Sequence, residues 1–213
     1  TVKSSSAASD VYKRQPQERL THGMNERQPS KLLPFLFENV EEDRRLTVLN
    51  IGPALSETVT FFSRYRCRLH FADLFAELPI NPDDDPDTPL VRQFEQKLAV
   101  PEGTRFDICL FWDLFNFLDA DAIGALMTAL APHLHEGTRG HGFALHNVRT
   151  PQSRQLFAIS GEQELAVRPR PAALPGYAPH PQNRLKELLD GFNIVRSVLL
   201  ADSRLEMALS TRH

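Results

Sequence analysis

The stretch Thr47-Val-Leu-Asn-Ile-Gly-Pro-Ala-Leu-Ser56 decides how this chain folds. Leu46 to Ile51 is a short apolar and β-branched run, the pattern of a buried strand. Gly52-Pro53 breaks it. Ser56 to Tyr65 then puts Val59, Phe61 and Phe62 on one side, which predicts a helix with Ser56 as its N-cap. Two later apolar runs also end in an acid: Leu69-His-Phe-Ala-Asp73 and Phe106-Asp-Ile-Cys-Leu-Phe-Trp-Asp113. In an open α/β sheet, ligands bind just beyond the carboxyl ends of the strands. These three segments therefore place Gly52, Asp73 and Asp113 on one rim.

Outward from these runs, strand and helix signals alternate. Lys31 to Asn39 has apolar residues at near-helical spacing, with Pro34 near its start where a helix tolerates it. Leu78 to Pro89 is rich in Pro and Asp and reads as a loop. Pro89 to Leu98 reads as a helix, and a short third strand is expected around Leu98 to Val100. Asp119 is a good N-cap for a helix over Ala120 to Leu130, followed by a turn at Glu136-Gly137 and a fifth strand at Gly142 to His146. Val148 to Pro181 is irregular and carries six prolines from Pro151 to Pro181; a strand or hairpin is expected near Leu156 to Val167. A short helix at Leu185 to Leu189 is closed by Asp190-Gly191. Phe192 to Leu200 and Leu205 to Ser210 read as a terminal antiparallel hairpin. The fold class is thus α/β: a doubly wound, mostly parallel sheet of six to seven strands ending in an antiparallel hairpin.

The first residues read differently. Ser5-Ser-Ala-Ala-Ser-Asp-Val-Tyr-Lys-Arg-Gln15 back-translates without a gap to the read-one adapter of transposase-based sequencing libraries. Residues 1–15 are expected to be foreign and disordered, and 16–213 to form one domain, with Met24 as a candidate start. Tyr12, Lys13 and Arg14 then carry no functional meaning. The 41% apolar content supports a sizeable core, and a net charge of -3 gives no electrostatic case for nucleic acid. No apolar run is long enough to span a bilayer and no signal-peptide pattern is present, so a cytoplasmic location without membrane attachment is expected. The two cysteines, Cys67 and Cys109, sit in apolar runs and read as reduced, packed thiols.

Alternating strands and helices that end in an antiparallel hairpin resemble the class I S-adenosylmethionine-dependent methyltransferase family, over roughly Leu32 to Ser210. Val48-Leu-Asn-Ile-Gly52 is similar to that family's first motif, Asp73 to the acid that grips the ribose hydroxyls, Phe106 to Asp113 to the fourth-strand motif, and Leu134-His-Glu-Gly137 to the turn before the fifth strand. The resemblance implies S-adenosylmethionine as cofactor and a small-molecule or protein acceptor. It implies a cofactor site made of Asn50, Gly52, Pro53, Ala54, Asp73, Leu74, Trp112 and Asp113. The chemistry is consistent. Glycine lets backbone approach a ligand closely. An acid about twenty residues further on can accept two ribose hydroxyls, and Asp73 lies 21 residues beyond Gly52. Trp112 could cover a purine face.

The chain also departs from that pattern. Asn50 stands where the family has Asp, and its Gly-x-Gly-x-Gly becomes Gly52-Pro53-Ala54-Leu55-Ser56, with Leu55 adding bulk where the methionine portion would lie. Such a loop binds the cofactor weakly, in a shifted pose, or not at all. Two functions stay open: a methyltransferase of unknown acceptor, and a catalytically inactive methyltransferase-like binding or partner module. A nicotinamide enzyme is disfavoured, because no Gly-x-Gly-x-x-Gly is present and Glu57 would repel a pyrophosphate at the helix N-terminus.

Other candidates have plainer readings. Asp83-Asp-Asp85 with Asp87 lacks EF-hand spacing and reads as a solvated loop. His133, His135, His141 and His146 fit no zinc template, so no metal is expected. His146, Asn147, Asn116, Tyr177 and His180 lie where a substrate could be met.

Overall fold

In chain order the strands are β1 (Glu26–Pro29), β2 (Leu46–Ile51), β3 (Cys67–Ala72), β4 (Ile108–Trp112), β5 (Arg139–Leu145), β6 (Gln155–Gly161), β7 (Glu164–Pro169), β8 (Phe192–Leu199) and β9 (Arg204–Thr211). The helices are α1 (Ser56–Phe62), α2 (Leu90–Leu98), α3 (Ala120–Leu130) and α4 (Gln182–Leu188). This computed structural model describes residues 26–38, 40, 44–82 and 85–212. The segment 1–15 lies outside the described residues, as do Met24, Asp83 and Asp84.

Six strands form the main sheet in the order β3-β2-β4-β5-β9-β8. The pairs β2–β3, β2–β4 and β4–β5 are parallel, whereas β9 runs antiparallel to both β5 and β8. The expected α/β class with a terminal antiparallel hairpin is therefore present. The central strands are apolar because helices and loops cover both faces: all of β4 is buried, and only Thr47 of β2 is not. Strand order reverses at β2: the chain leaves it for β3 on one side and then returns to add β4 on the other. This is the switch point where α/β sheets form a ligand crevice.

The third strand does not form. Leu90, Phe94 and Leu98 repeat at four-residue intervals, and Phe94 and Leu98 are buried, so α2 persists through Leu98. Ala99 then adopts a left-handed cap (φ 48°), and Pro101 to Thr104 form a turn closed by a Thr104 N–H to Pro101 O bond. Strand β3 is left at the edge of the sheet. The helix expected over Lys31 to Asn39 is a single 3-10 turn, Leu33–Phe37, started by the Ser30 hydroxyl, which accepts from Leu33 N at 3.0 Å; Asn39 lies outside the described residues. Ser56 is not a cap. It is the first residue of α1, Leu55 holds the extended cap position, and the Ser56 hydroxyl donates to Glu57 instead. Asp119 caps α3 as expected, accepting from Ala122 N at 2.8 Å.

A second sheet, β1-β7-β6, is antiparallel throughout. The hairpin expected near Leu156 to Val167 supplies β6 and β7; β1 had no signal in the sequence. This sheet lies over the rim of the main one. Phe157 of β6 stacks on Trp112 (6.1 Å between centroids, 19° between planes) and packs on Phe143 at 4.8 Å. Ile159 N donates to the Thr58 hydroxyl at 3.2 Å, and Arg168 is ion-paired with Glu57. The hairpin is thereby fastened to the first turns of α1, and one apolar cluster runs through both sheets.

Candidate functional site

The crevice at the switch point is built by the ends of β2, β3 and β4. Gly52 ends β2 with φ 131°, a backbone conformation that L side chains rarely adopt, and its N–H donates to Ala72 O at 2.8 Å. Gly52 is itself buried. A Cβ built on Gly52 would meet the Phe75 ring at 3.5 Å and Trp112 at 3.8 Å. Trp112 itself is held at φ 52°, where the β4–β5 register shifts. Such irregularities re-aim a side chain, and this one accompanies an indole that crosses to β2. Trp112 Nε1 donates to Asn50 Oδ1 at 3.1 Å, and Asn50 Nδ2 donates to Gly52 O at 3.2 Å. Asn50 is buried, and its amide is spent at both ends on the crevice walls.

Two acids flank this closure. Asp113 is buried, and among the described residues its Oδ1 has no hydrogen-bond partner. Burial pushes its carboxyl up to about 6, with nearby Arg170 and Arg204 and a backbone hydrogen bond pulling the other way. Asp73, beyond β3, also has a buried Oδ1 without a hydrogen-bond partner among the described residues. Between them comes Arg170, directly after β7. Its guanidinium lies 4.5 Å over the Phe75 ring and 3.7 Å from Asp113 Oδ1, and Nη2 donates to Gln155 O at 2.9 Å. A cleft of about 240 Å³ remains outside, lined by Pro53, Asp73, Phe75, Leu156, Arg170 and Leu174 among others.

The residues expected from the sequence thus divide. Asn50, Gly52 and Trp112 contact one another, Pro53 and Asp73 line the cleft, and Asp113 pairs with Arg170. Ala54 is exposed on the loop, and Leu74 is wholly within the core. Phe75 and Arg170 were missed. Phe75 could have been suspected from its place two residues after Asp73, but Arg170 stands in a Pro-rich segment with no spacing signal. Tyr177 donates to Thr150 O at 2.7 Å, a His180 ring nitrogen contacts Leu118 O at 2.7 Å, and buried Asn116 donates to Phe143 O at 3.3 Å. The histidines go to separate places: His133 to Thr104 O, His135 to Asp107, His141 to Glu206, while His146 is exposed. Among the described residues no group of three or more His, Cys, Asp or Glu is placed to hold a metal ion, and no helix is long and apolar enough to cross a membrane.

Sequence reasoning also missed a buried polar cluster. The Glu206 carboxylate accepts from the Ser30 hydroxyl, contacts His141 Nε2 at 2.9 Å, and accepts from Lys31 N at 3.3 Å. Its signal was a lone acid inside the apolar run Leu205-Glu206-Met207. A larger hollow of about 390 Å³ lies at the opposite ends of the strands, by Leu46, Ile108 and Arg139, away from the switch point.

S-adenosylmethionine does not fit the rim in this conformation. Asp73 could take ribose hydroxyls. Gly52, however, is buried beside Phe75 and Trp112, the face of Phe75 is covered by Arg170, and the amide of Asn50 is bonded to its neighbours. The remaining cleft falls below the ~300–1,000 Å³ usual for small-molecule sites.

No family model matches the chain, and no curated protein matches it. Solved structures similar to it include methyltransferases. The 1,6-didemethyltoxoflavin-N1-methyltransferase of Burkholderia thailandensis, with bound 1,6-didemethyltoxoflavin and S-adenosylhomocysteine, is 17% identical, with 80% of this chain and 72% of that one covered and a TM-score of 0.45. An S-adenosylmethionine-dependent methyltransferase of Clostridium acetobutylicum is 12% identical (78% and 84% covered, TM-score 0.45). The N-methyltransferase NodS of Bradyrhizobium japonicum is also 12% identical (79% and 86% covered, TM-score 0.45).

Proposed function

We propose that this chain is a methyltransferase-like module whose ligand rim is closed by its own hairpin, and that in this form it serves as a binding or partner module rather than transferring methyl groups. The observation that carries the reading is Arg170, stacked on Phe75 and paired with Asp113. It fills the rim at the place where α/β sheets take their ligands. The eroded loop Gly52-Pro53-Ala54-Leu55-Ser56 agrees with it. Calorimetry with S-adenosylmethionine and S-adenosylhomocysteine tests it. Absence of binding at millimolar ligand is expected; a micromolar affinity that disappears in Asp73→Ala would overturn it.

One observation favours a second reading, an S-adenosylmethionine-dependent methyltransferase of unknown acceptor. Asp73 stands at the end of the strand beside the glycine turn with a carboxylate oxygen that no described residue hydrogen-bonds. Under this reading the hairpin side chains must leave the rim before cofactor enters.

A further inference from the structure

We propose that Arg170 is a removable plug: its guanidinium occupies the rim from within the chain, and a ligand of Asp73 and Phe75 reaches the rim only once that side chain has left. The inference rests on the closed-rim reading. It adds that the outer layer of the closure, over the face of Phe75, is one displaceable side chain.

Position permits the movement. Arg170 follows Pro169, the last residue of β7, whose ladder with β6 ends at the pair Gln155–Pro169. Its backbone N–H is held by Arg154 O at 2.8 Å. The side chain can therefore rotate out while the β6–β7 ladder stays intact. The hairpin has other fastenings: Arg168 donates to Glu57 through Nε at 3.1 Å and through Nη2, and Phe157 stacks on Trp112.

The plug is poorly satisfied where it sits. Among the described residues, the Arg170 side chain has one hydrogen bond, from Nη2 to Gln155 O; Nε and Nη1 are buried without one. Asp113 Oδ1, at 3.7 Å, is beyond hydrogen-bonding distance, and Asp73 Oδ1 is buried and unbonded. Buried polar groups are as a rule hydrogen-bonded. In a low-dielectric interior a mismatched set yields to a better-matched donor. Buried Arg204 is better held, donating to Asp202 and Gln28.

Beneath the guanidinium lies the face of Phe75, which borders Gly52, and Asp73 lines the same cleft. A flat ring can replace the cation on an aromatic face, since both are attracted to it.

The test is calorimetry with S-adenosylhomocysteine as probe on the full chain, Arg170→Ala, and Arg170→Ala combined with Asp73→Ala. Binding by Arg170→Ala about tenfold or more tighter than by the unaltered chain, with the gain lost in the double variant, is the expected result. If Arg170→Ala keeps the circular dichroism of the unaltered chain and neither protein binds at millimolar probe, the plug is overturned and the closed-rim reading stands. If the unaltered chain binds as tightly as Arg170→Ala, both fall. Should Arg170→Ala fail to fold, Arg170→Gln, which keeps a donor for Gln155 O, is read in the same way.

Discussion

Trp112 Nε1 donates to Asn50 Oδ1 at 3.1 Å, tying the carboxyl end of β4 to that of β2 across the switch point. The bond lies in the core, with both residues buried. Trp112→Phe keeps an aromatic ring but leaves the amide oxygen of Asn50 unpaired. An unsatisfied buried acceptor costs about 1–3 kcal/mol, and the smaller ring adds a packing loss. Urea unfolding followed by far-ultraviolet circular dichroism should show a lower midpoint with an unchanged slope.

Asp113 makes a contribution of opposite sign. Its carboxyl is raised from 3.8 to about 6, chiefly by burial. A group whose folded value lies above its unfolded value adds stability that is full below pH 3.8 and lost as pH rises through 6. Asp113→Asn mimics the protonated form and should be more stable than the unaltered chain at pH 8, by on the order of 3 kcal/mol at most. The difference should vanish at pH 3. Denaturant unfolding at both pH values measures it.

Glu206 behaves in the opposite way. Burial raises its carboxyl, but hydrogen bonds and charge from His141, together with Ser30 and Lys31 N–H, bring it below its ordinary 4.5. A lowered folded value means stability that is present above pH 4.5 and lost as pH falls through the folded value. Glu206→Gln should flatten this acid limb. Glu206→Ala leaves buried His141 and the Ser30 hydroxyl without their acceptor and should cost on the order of 1–3 kcal/mol. Melting temperatures between pH 3 and 7 distinguish the two variants.

The thiols should differ in reactivity. Cys109 is fully buried, and burial drives its thiol well up; Cys67, partly exposed, is raised less. The thiolate is the reactive form. Ellman's reagent should modify at most Cys67 in the native protein, and both thiols after unfolding.

The sheet was legible because its strands are apolar runs closed by turn residues. Leu46 to Ile51 and Phe106 to Trp112 could be nothing else, and Asp119 marked α3 by its own chemistry. The expected third strand is instead a helix end: Leu98 to Val100 is apolar, and a short apolar run does not distinguish the two. Strand β1, Glu26-Arg-Gln-Pro29, is polar; it forms only because β7 offers an edge, and tertiary pairing of that kind leaves no periodic trace. The rim acids Asp73 and Asp113 could be read from position. What fills the space between them could not, because Arg170 comes from a segment nearly a hundred residues beyond Asp73, and its role depends on where a hairpin lands. The sequence reading assigned the obstruction to Leu55; the structure locates it in Trp112, Phe75 and Arg170.

The chain's single tryptophan stands at the centre of the closed rim, so its indole N–H gives one resonance that reports directly on the site. Titration of the isotope-labelled chain with S-adenosylhomocysteine, observed at that resonance, is the most direct measurement. We expect the peak to stay in place up to millimolar ligand, with Trp112 still bonded to Asn50. A shift that saturates at micromolar ligand would show that the rim is open to the cofactor and contradict the closed-rim account.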